Sequence, residues 1–388
     1  MQLTWRWFGR KDPISLQMLR QIGIEGIVTS LYEISPGKIW PTEQIADLND
    51  CIKSSGLVWS VVESLPVSEE IKRGGPLREE HIANYITSLE NLGRLGIRTV
   101  CYNFMPVIDW IRTDLARERA DGTTGLYFDA ARFACFDIHI LEREGARKDY
   151  TASVLERADA RAKTITKAER DELIDSIIIK TQGFVCGNFD DDTINPVGAF
   201  RELLAQYEGI DTDALRSNLK YFLERIMPVC NEYDIRMCIH PDDPPFPVLG
   251  LPRICGNKED IEWILNAVDD IHNGLTFCAG SLSAGAHNDV RELADLFADR
   301  TAFVHLRSTD CNPQTGDFWE ESHLKGRGYL KEIIPIFETR QPQLPMRVDH
   351  GQCMLGDDKM PYNPGYSFHG RMHALGQVMG MMAMVKKD

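Results

Sequence analysis

Short apolar runs recur along this chain, and between them apolar side chains return every three or four positions. The first kind of segment reads as a buried strand, the second as a helix with one face inward. Residues 3–7 open with strand-like alternation, and residues 15–22 follow as a short helix with Leu16, Leu19 and Ile22 on one face. Residues 26–30 form a second strand. Thr42 is placed to cap a helix carrying Ile45, Leu48 and Ile52, and residues 57–63 form a third strand that ends in Glu63. The helical stripe is clearest at Ile82, Tyr85, Ile86, Leu89, Leu92 and Leu95, closed by Gly96. A fourth strand spans residues 97–104.

The rhythm then stops. Residues 109–197 are charged, and segments 152–161 and 167–181 alternate charge sign as exposed helices do. This stretch is expected to be a helical insertion, a cap or an oligomer contact, within a single domain spanning residues 1–388. The rhythm resumes with a helix at 213–233 bearing Leu215, Leu219, Phe222, Leu223 and Ile226 inward. Strands at 235–239, 274–278, 301–305 and 345–351 follow, separated by helices at 258–268, 289–298 and 329–338. A Met-rich helix at 368–385 closes the chain.

Strands that are apolar on both faces and alternate with helices form a parallel sheet covered by helices. Eight such units predict closure into a (β/α)8 TIM barrel with a helical insertion after the fourth strand. The rival, an open doubly wound sheet, would usually open on a glycine-rich phosphate turn, and no GxGxxG precedes a helix here.

Composition narrows the chemistry. Hydrophobic residues make up 43% and charged residues 26%, as in a globular protein with a sizeable core. The start of the chain lacks the basic-then-apolar form of a signal peptide and no long apolar run follows, so a cytoplasmic location with no membrane partner is expected. Ten cysteines without a CxxC pair argue for buried thiols rather than disulfides or a zinc ribbon. A net charge of −15 leaves no basic footprint for nucleic acid. It does not exclude a small anionic substrate, because a few arginines or a metal reverse the field inside one pocket.

A barrel carries its active site at the C-terminal ends of its strands. His240, Cys278, His305 and Asp349 stand at or just past the ends of the fifth to eighth strands. Two imidazoles, a thiolate and a carboxylate make a metal-ligand set suited to Zn²⁺, Fe²⁺, Mn²⁺ or Co²⁺, and the thiolate disfavours Mg²⁺ and Ca²⁺. Singly, each would more often be packing or surface; four on consecutive strand ends make a site. His350, beside Asp349, suits proton transfer near neutrality. Arg307 is placed to hold an anionic group. Tyr362 and Tyr366 lie on a loop after the eighth strand, able to bring a phenol over the site. Arg6 and Asn103 end the first and fourth strands as candidate substrate contacts. Glu63 ranks lowest, since a strand-end Glu is often only solvated. Asp242 and Asp243, between His240 and Pro244, read as a rigid acidic loop or a simple turn. Arg347 shares a face with Asp349 and is expected to support it rather than react.

Several of these segments together resemble the mannonate dehydratase family: Ile239-His240-Pro241-Asp242-Asp243-Pro244-Pro245, Phe277-Cys278-Ala279-Gly280-Ser281, Val304-His305-Leu306-Arg307, Arg347-Val348-Asp349-His350-Gly351 and Thr4-Trp5-Arg6-Trp7-Phe8-Gly9. The resemblance spans the chain. It implies a barrel related to xylose isomerase, a divalent Mn²⁺ or Fe²⁺ cofactor, and a hydro-lyase converting D-mannonate to 2-dehydro-3-deoxy-D-gluconate and water in hexuronate (glucuronate) catabolism. The expected partners are that sugar acid and further copies of the chain in a homo-oligomer. On this reading His350 and Tyr366 or Tyr362 share the acid and base roles. The rivals are a metal-dependent sugar or sugar-acid isomerase or epimerase of the same barrel, a barrel endonuclease, and a non-catalytic sugar-acid-binding protein.

Overall fold

A computed structural model describes residues 1–181 and 193–385. In chain order its strands are β1 (Gln2–Arg6), β2 (Gly26–Thr29), β3 (Val58–Glu63), β4 (Thr99–Tyr102), β5 (Asp114–Glu118), β6 (Thr124–Phe128), β7 (Arg236–Ile239), β8 (Asn273–Cys278), β9 (Thr301–His305), β10 (Ser308–Asn312), β11 (Asp317–Glu321) and β12 (Pro345–Arg347). Eight of them close into a parallel barrel in the order β1-β12-β9-β8-β7-β4-β3-β2. Closure is made by β1 on β12, with Gln2 opposite Pro345 and Leu3 opposite Met346. The expected (β/α)8 barrel is the fold observed.

Local chemistry explains the helices between the strands. Ser15, Asp211, Asn257 and Asp289 each accept a backbone N–H of the first turn of the helix they precede. Thr42, expected as a cap, is instead the first helical residue, and Pro41 occupies the capping position without a side-chain bond. The inward stripes pack on the barrel: Ile82, Leu89 and Leu92 from one helix meet Leu219, Phe222 and Leu223 from another in one continuous core. Among the described residues no helix is long and apolar enough to cross a membrane.

The insertion after β4 differs from the expected all-helical cap. It begins with two strands, β5 and β6, before the helices Ala130–Cys135, Ala152–Ala162, Lys167–Ile174 and Pro196–Ala205. Residues 182–192 of that stretch lie outside the described residues. Its charged appearance conceals a second core, in which Phe133, Phe136, Leu173, Ile177 and Phe200 are buried beside Val248, Leu249 and Phe318 from barrel loops. The polar faces of these helices look outward, so their charges dominate the sequence while a few apolar side chains carry the packing.

An element absent from the sequence reading is the hairpin β10–β11, which follows β9 directly. It joins the insertion: β11 pairs with β6, giving a four-stranded antiparallel sheet in the order β10-β11-β6-β5. Thr124 at the start of β6 exchanges two backbone hydrogen bonds with Cys353, in the loop after β12. Three separate loops of the barrel mouth are thus tied together above the strand ends.

Candidate metal centre and active site

The cleft at the C-terminal end of the barrel is lined by Arg6, Glu63, Asn103, Asp109, Trp110, His240, Asp243, Arg307, Arg347, Asp349, His350 and Tyr366, among others. Each strand contributes by the same rule. Side chains alternate along a strand, so the last inward residue of each points into the mouth.

His240 follows β7, Cys278 ends β8 and His305 ends β9. Their ligand atoms all lie within 4.8 Å of one another. His240 Nε2 and His305 Nδ1 are 3.2 Å apart. Burial alone would push the Cys278 thiol up, but Arg307, His240 and His305 hold it well below the ordinary thiol range. Its Sγ also accepts hydrogen bonds from the backbone N–H and the hydroxyl of Ser281. A buried thiolate beside two imidazoles on adjoining strand ends is a donor set that fits a divalent transition metal.

Asp349 stands beside this trio. Its Oδ2 is 3.7 Å from His305 Nδ1 and 3.9 Å from Cys278 Sγ. It accepts a 2.6 Å hydrogen bond from Arg307 Nε and another from Arg347. Burial would raise this carboxyl, yet Arg347, His350 and Arg307 together bring it well below the usual carboxylate range. The strand is shorter than the sequence suggests: β12 stops at Arg347, and Asp349 has a φ of 53°. That left-handed residue interrupts the period-two alternation. Consecutive side chains, Asp349 and His350, therefore both line the cleft, which an extended strand would not allow.

The structure brings His350, Tyr366, Arg6 and Asn103 into the same wall and leaves Tyr362 out of it. His350 packs between Trp110 and Tyr366, with ring centroids 5.7 and 5.1 Å away. Tyr366 directs its hydroxyl toward Asp349 Oδ1 at 3.5 Å, and burial pushes its phenol up. Tyr362 is half-buried, and its surroundings are Asp357, Asp12 and Arg371. The turn in which Tyr366 N–H donates to the Asn363 carbonyl separates the two tyrosines. Arg307, expected to receive an anion, has its donors taken up by Asp349, Glu320, Asp243 and Ser281. Its charge acts on Cys278 and Asp349 instead.

Other residues were undervalued or unseen in the sequence. Glu63, ranked last there, is buried and accepts from Arg6 and, on both oxygens, from Arg347. Arg347 in turn reaches His305 Nε2 at 3.1 Å, the supporting place expected of it. Asp243 does more than turn the chain, since Arg112 donates to both of its oxygens. Arg112 and Glu320 come from the insertion and the hairpin, distant in sequence from every strand end. A signal for the hairpin existed in Asn312-Pro313-Gln314-Thr315-Gly316, a turn-forming cluster between two short strand-like segments. Asp109, raised by burial, accepts from Asn103 at 2.7 Å, although in the sequence it marks only the start of the insertion.

Comparison with known proteins identifies the family. The chain matches the family model of D-mannonate dehydratase (UxuA) over residues 1–388. It is 44% identical to a mannonate dehydratase of Chromohalobacter salexigens, covering 100% of this chain and 99% of that one. A mannonate dehydratase of Marinomonas sp. is 43% identical, with 98% of each chain covered. The crystal structure of mannonate dehydratase from Streptococcus suis serotype 2 superposes with a TM-score of 0.79 at 31% identity, covering 99% of this chain and 93% of that one. A barrel with a His, His, Cys trio at its mouth, matched along its whole length, belongs to the D-mannonate dehydratase family.

Proposed function

We propose that this chain is a metal-dependent hydro-lyase that takes water out of D-mannonate to give 2-dehydro-3-deoxy-D-gluconate, a step of hexuronate catabolism. The observation that carries the reading is the convergence of His240, Cys278 and His305 in one cleft with His350 and Tyr366. The trio would hold the metal, with Asp349 as a fourth ligand; the mixed donor set accepts Zn²⁺, Fe²⁺, Mn²⁺ or Co²⁺, and the family resemblance implies Mn²⁺ or Fe²⁺ among them. When bound, the cation supplies positive charge where a proton leaves the carbon next to a carboxylate.

The chain's own residues supply the rest. Loss of water breaks the C2–H and C3–O bonds, forms a C2=C3 bond, and leaves an enol that ketonises. Hydroxide is a poor leaving group and the carbon acid is weak, so a base and an acid are both needed. Tyr366, held protonated by burial, is suited to donate to the departing hydroxyl. His350 is suited to take the C2 proton. Arg6 and Asn103, in the same wall, orient the sugar acid, while Trp110 and the four-stranded sheet limit water.

The test is a metal-reconstituted assay over a panel of epimeric hexonates. D-Mannonate should yield a 2-keto-3-deoxy acid, and chelation should abolish it. Binding without turnover, or a product that keeps every hydroxyl, would overturn the reading.

A further inference from the structure

Glu320 enters the cleft from outside the barrel. On β11, Phe318 and Glu320 are buried toward the barrel while Trp319 and Glu321 between and after them are only half-buried. Phe318 anchors the strand by stacking on Phe128 of β6, with ring centroids 4.9 Å apart. The Glu320 carboxylate then accepts from Arg307 at 2.8 Å and Arg112 at 3.0 Å. His350 Nδ1 lies 3.0 Å from the same Oε1. Burial would raise this carboxyl, but Arg307, His350 and Arg112 outweigh it and bring it to about 2.

An ionised carboxylate only accepts hydrogen bonds, so a ring nitrogen facing it at 3.0 Å must carry the proton. In the neutral imidazole the other nitrogen is then a free base. His350 Nε2 is 3.8 Å from Asp349 Oδ1, too long for a hydrogen bond, and the ring borders the open cleft. The ring is also packed in place. Trp110 and Tyr366 flank it, and a Cβ added at Gly365 would sit 3.1 Å from its carbons.

We propose that Glu320 is a positioning residue that holds His350 in the Nδ1–H tautomer with Nε2 bare toward the cleft. The inference rests on the reading of His350 as the proton-moving base, and extends it to a residue delivered by the β10–β11 hairpin. Orientation of a base by a third, ionised group is a general device for setting which nitrogen reacts and for stabilising the imidazolium once formed. The four-stranded sheet thereby has a chemical role: it carries the carboxylate that the barrel strands lack at this point.

Two measurements on the full-length, metal-loaded protein test this. The first is NMR of the His350 ring, assigned by its disappearance in His350→Asn. The neutral ring should carry its proton on Nδ1 in the native protein, and Glu320→Gln should shift it toward Nε2. A neutral native ring with the proton on Nε2, or a ring unchanged in Glu320→Gln, would overturn the proposal. The second is a double-variant cycle read as kcat and KM separately. Glu320→Gln should lower kcat by about 10²-fold while KM for D-mannonate changes little. In the His350→Asn background the same substitution should change nothing further, because Glu320 acts through His350. An equal loss in both backgrounds would assign Glu320 a structural role and end the proposal. Should His350→Asn keep native turnover, the base assignment of His350 falls, while the ring measurement still judges Glu320 by itself.

Discussion

Cys101, Cys238, Val61 and Phe303 fill the middle of the barrel as one apolar cluster with Val28 and Ala302. Two residues further along the same strands stand Asn103, His240, Glu63 and His305. Both layers point inward, since two residues is one full period of a strand. The lower layer is sealed by strands on every side, and an unpaired charge there would have no partner. The upper layer opens on loops that deliver counter-charges, so Arg6, Arg112, Arg307 and Arg347 meet Glu63, Asp243, Glu320 and Asp349. Two thiols show the contrast. Burial pushes Cys101 well above the ordinary thiol value, whereas Cys278, equally buried, is driven well below it by Arg307 and its histidines. Burial decides the first thiol, while in the second the charges within reach outweigh it. The difference teaches that the barrel separates stability from chemistry by a single period of the strand.

That separation can be broken experimentally. Cys278→Ala should lose the metal and at least about 10⁴-fold in turnover while its circular dichroism spectrum stays native. Retained metal content with native turnover would take Cys278 out of the ligand set. His350→Asn should lower kcat by about 10³-fold with metal content unchanged, as measured by elemental analysis alongside steady-state kinetics. Val61→Ala, one period below Glu63, should do the reverse. It should cost about 2 kcal/mol of stability in urea or guanidinium unfolding, with kcat per folded molecule close to native. A large kcat loss in the folded fraction would show that the two layers are not independent.

The smallest expected effect concerns the support around the charged layer. His323, after the hairpin, is buried with Nε2 3.0 Å from the Val348 carbonyl oxygen. Burial holds its imidazole below the ordinary 6.5. Below pH 6.5 the unfolded chain therefore takes up this proton before the folded one does. Its contribution is full above that pH and is lost as pH falls toward the depressed folded value. Unfolding midpoints measured across this window should fall with acidity in the native protein and flatten in His323→Gln. Equal slopes would remove His323 as the cause.

Legibility in the sequence followed the range of the interactions. The strand ends His240, Cys278 and His305 were visible because each terminates an apolar run, and a closed barrel places neighbouring strand ends together. Glu63 was misjudged because a terminal Glu looks the same whether it meets water or, as here, Arg6 and Arg347. Tyr362 and Tyr366 share one loop and are equivalent as letters; only the turn at Asn363 separates them. A turn cluster marks the hairpin, but the place of Glu320 and Arg112 at the cleft depends on β6 pairing with β11, nearly two hundred positions away.

The sequence by itself determined the eight-fold alternation of strand and helix, the identity of the metal-ligand candidates and the apolar filling of the barrel. Those follow from periodicities within a few residues, and local periodicity is set by backbone geometry. Only the tertiary structure decided which charges pair above the strands, that Asp349 and His350 face the same cleft, and that a hairpin and an insertion unite into a sheet over the mouth. Those outcomes depend on buried charges finding partners across long separations, and a buried charge is tolerated only where the whole fold supplies its counterpart.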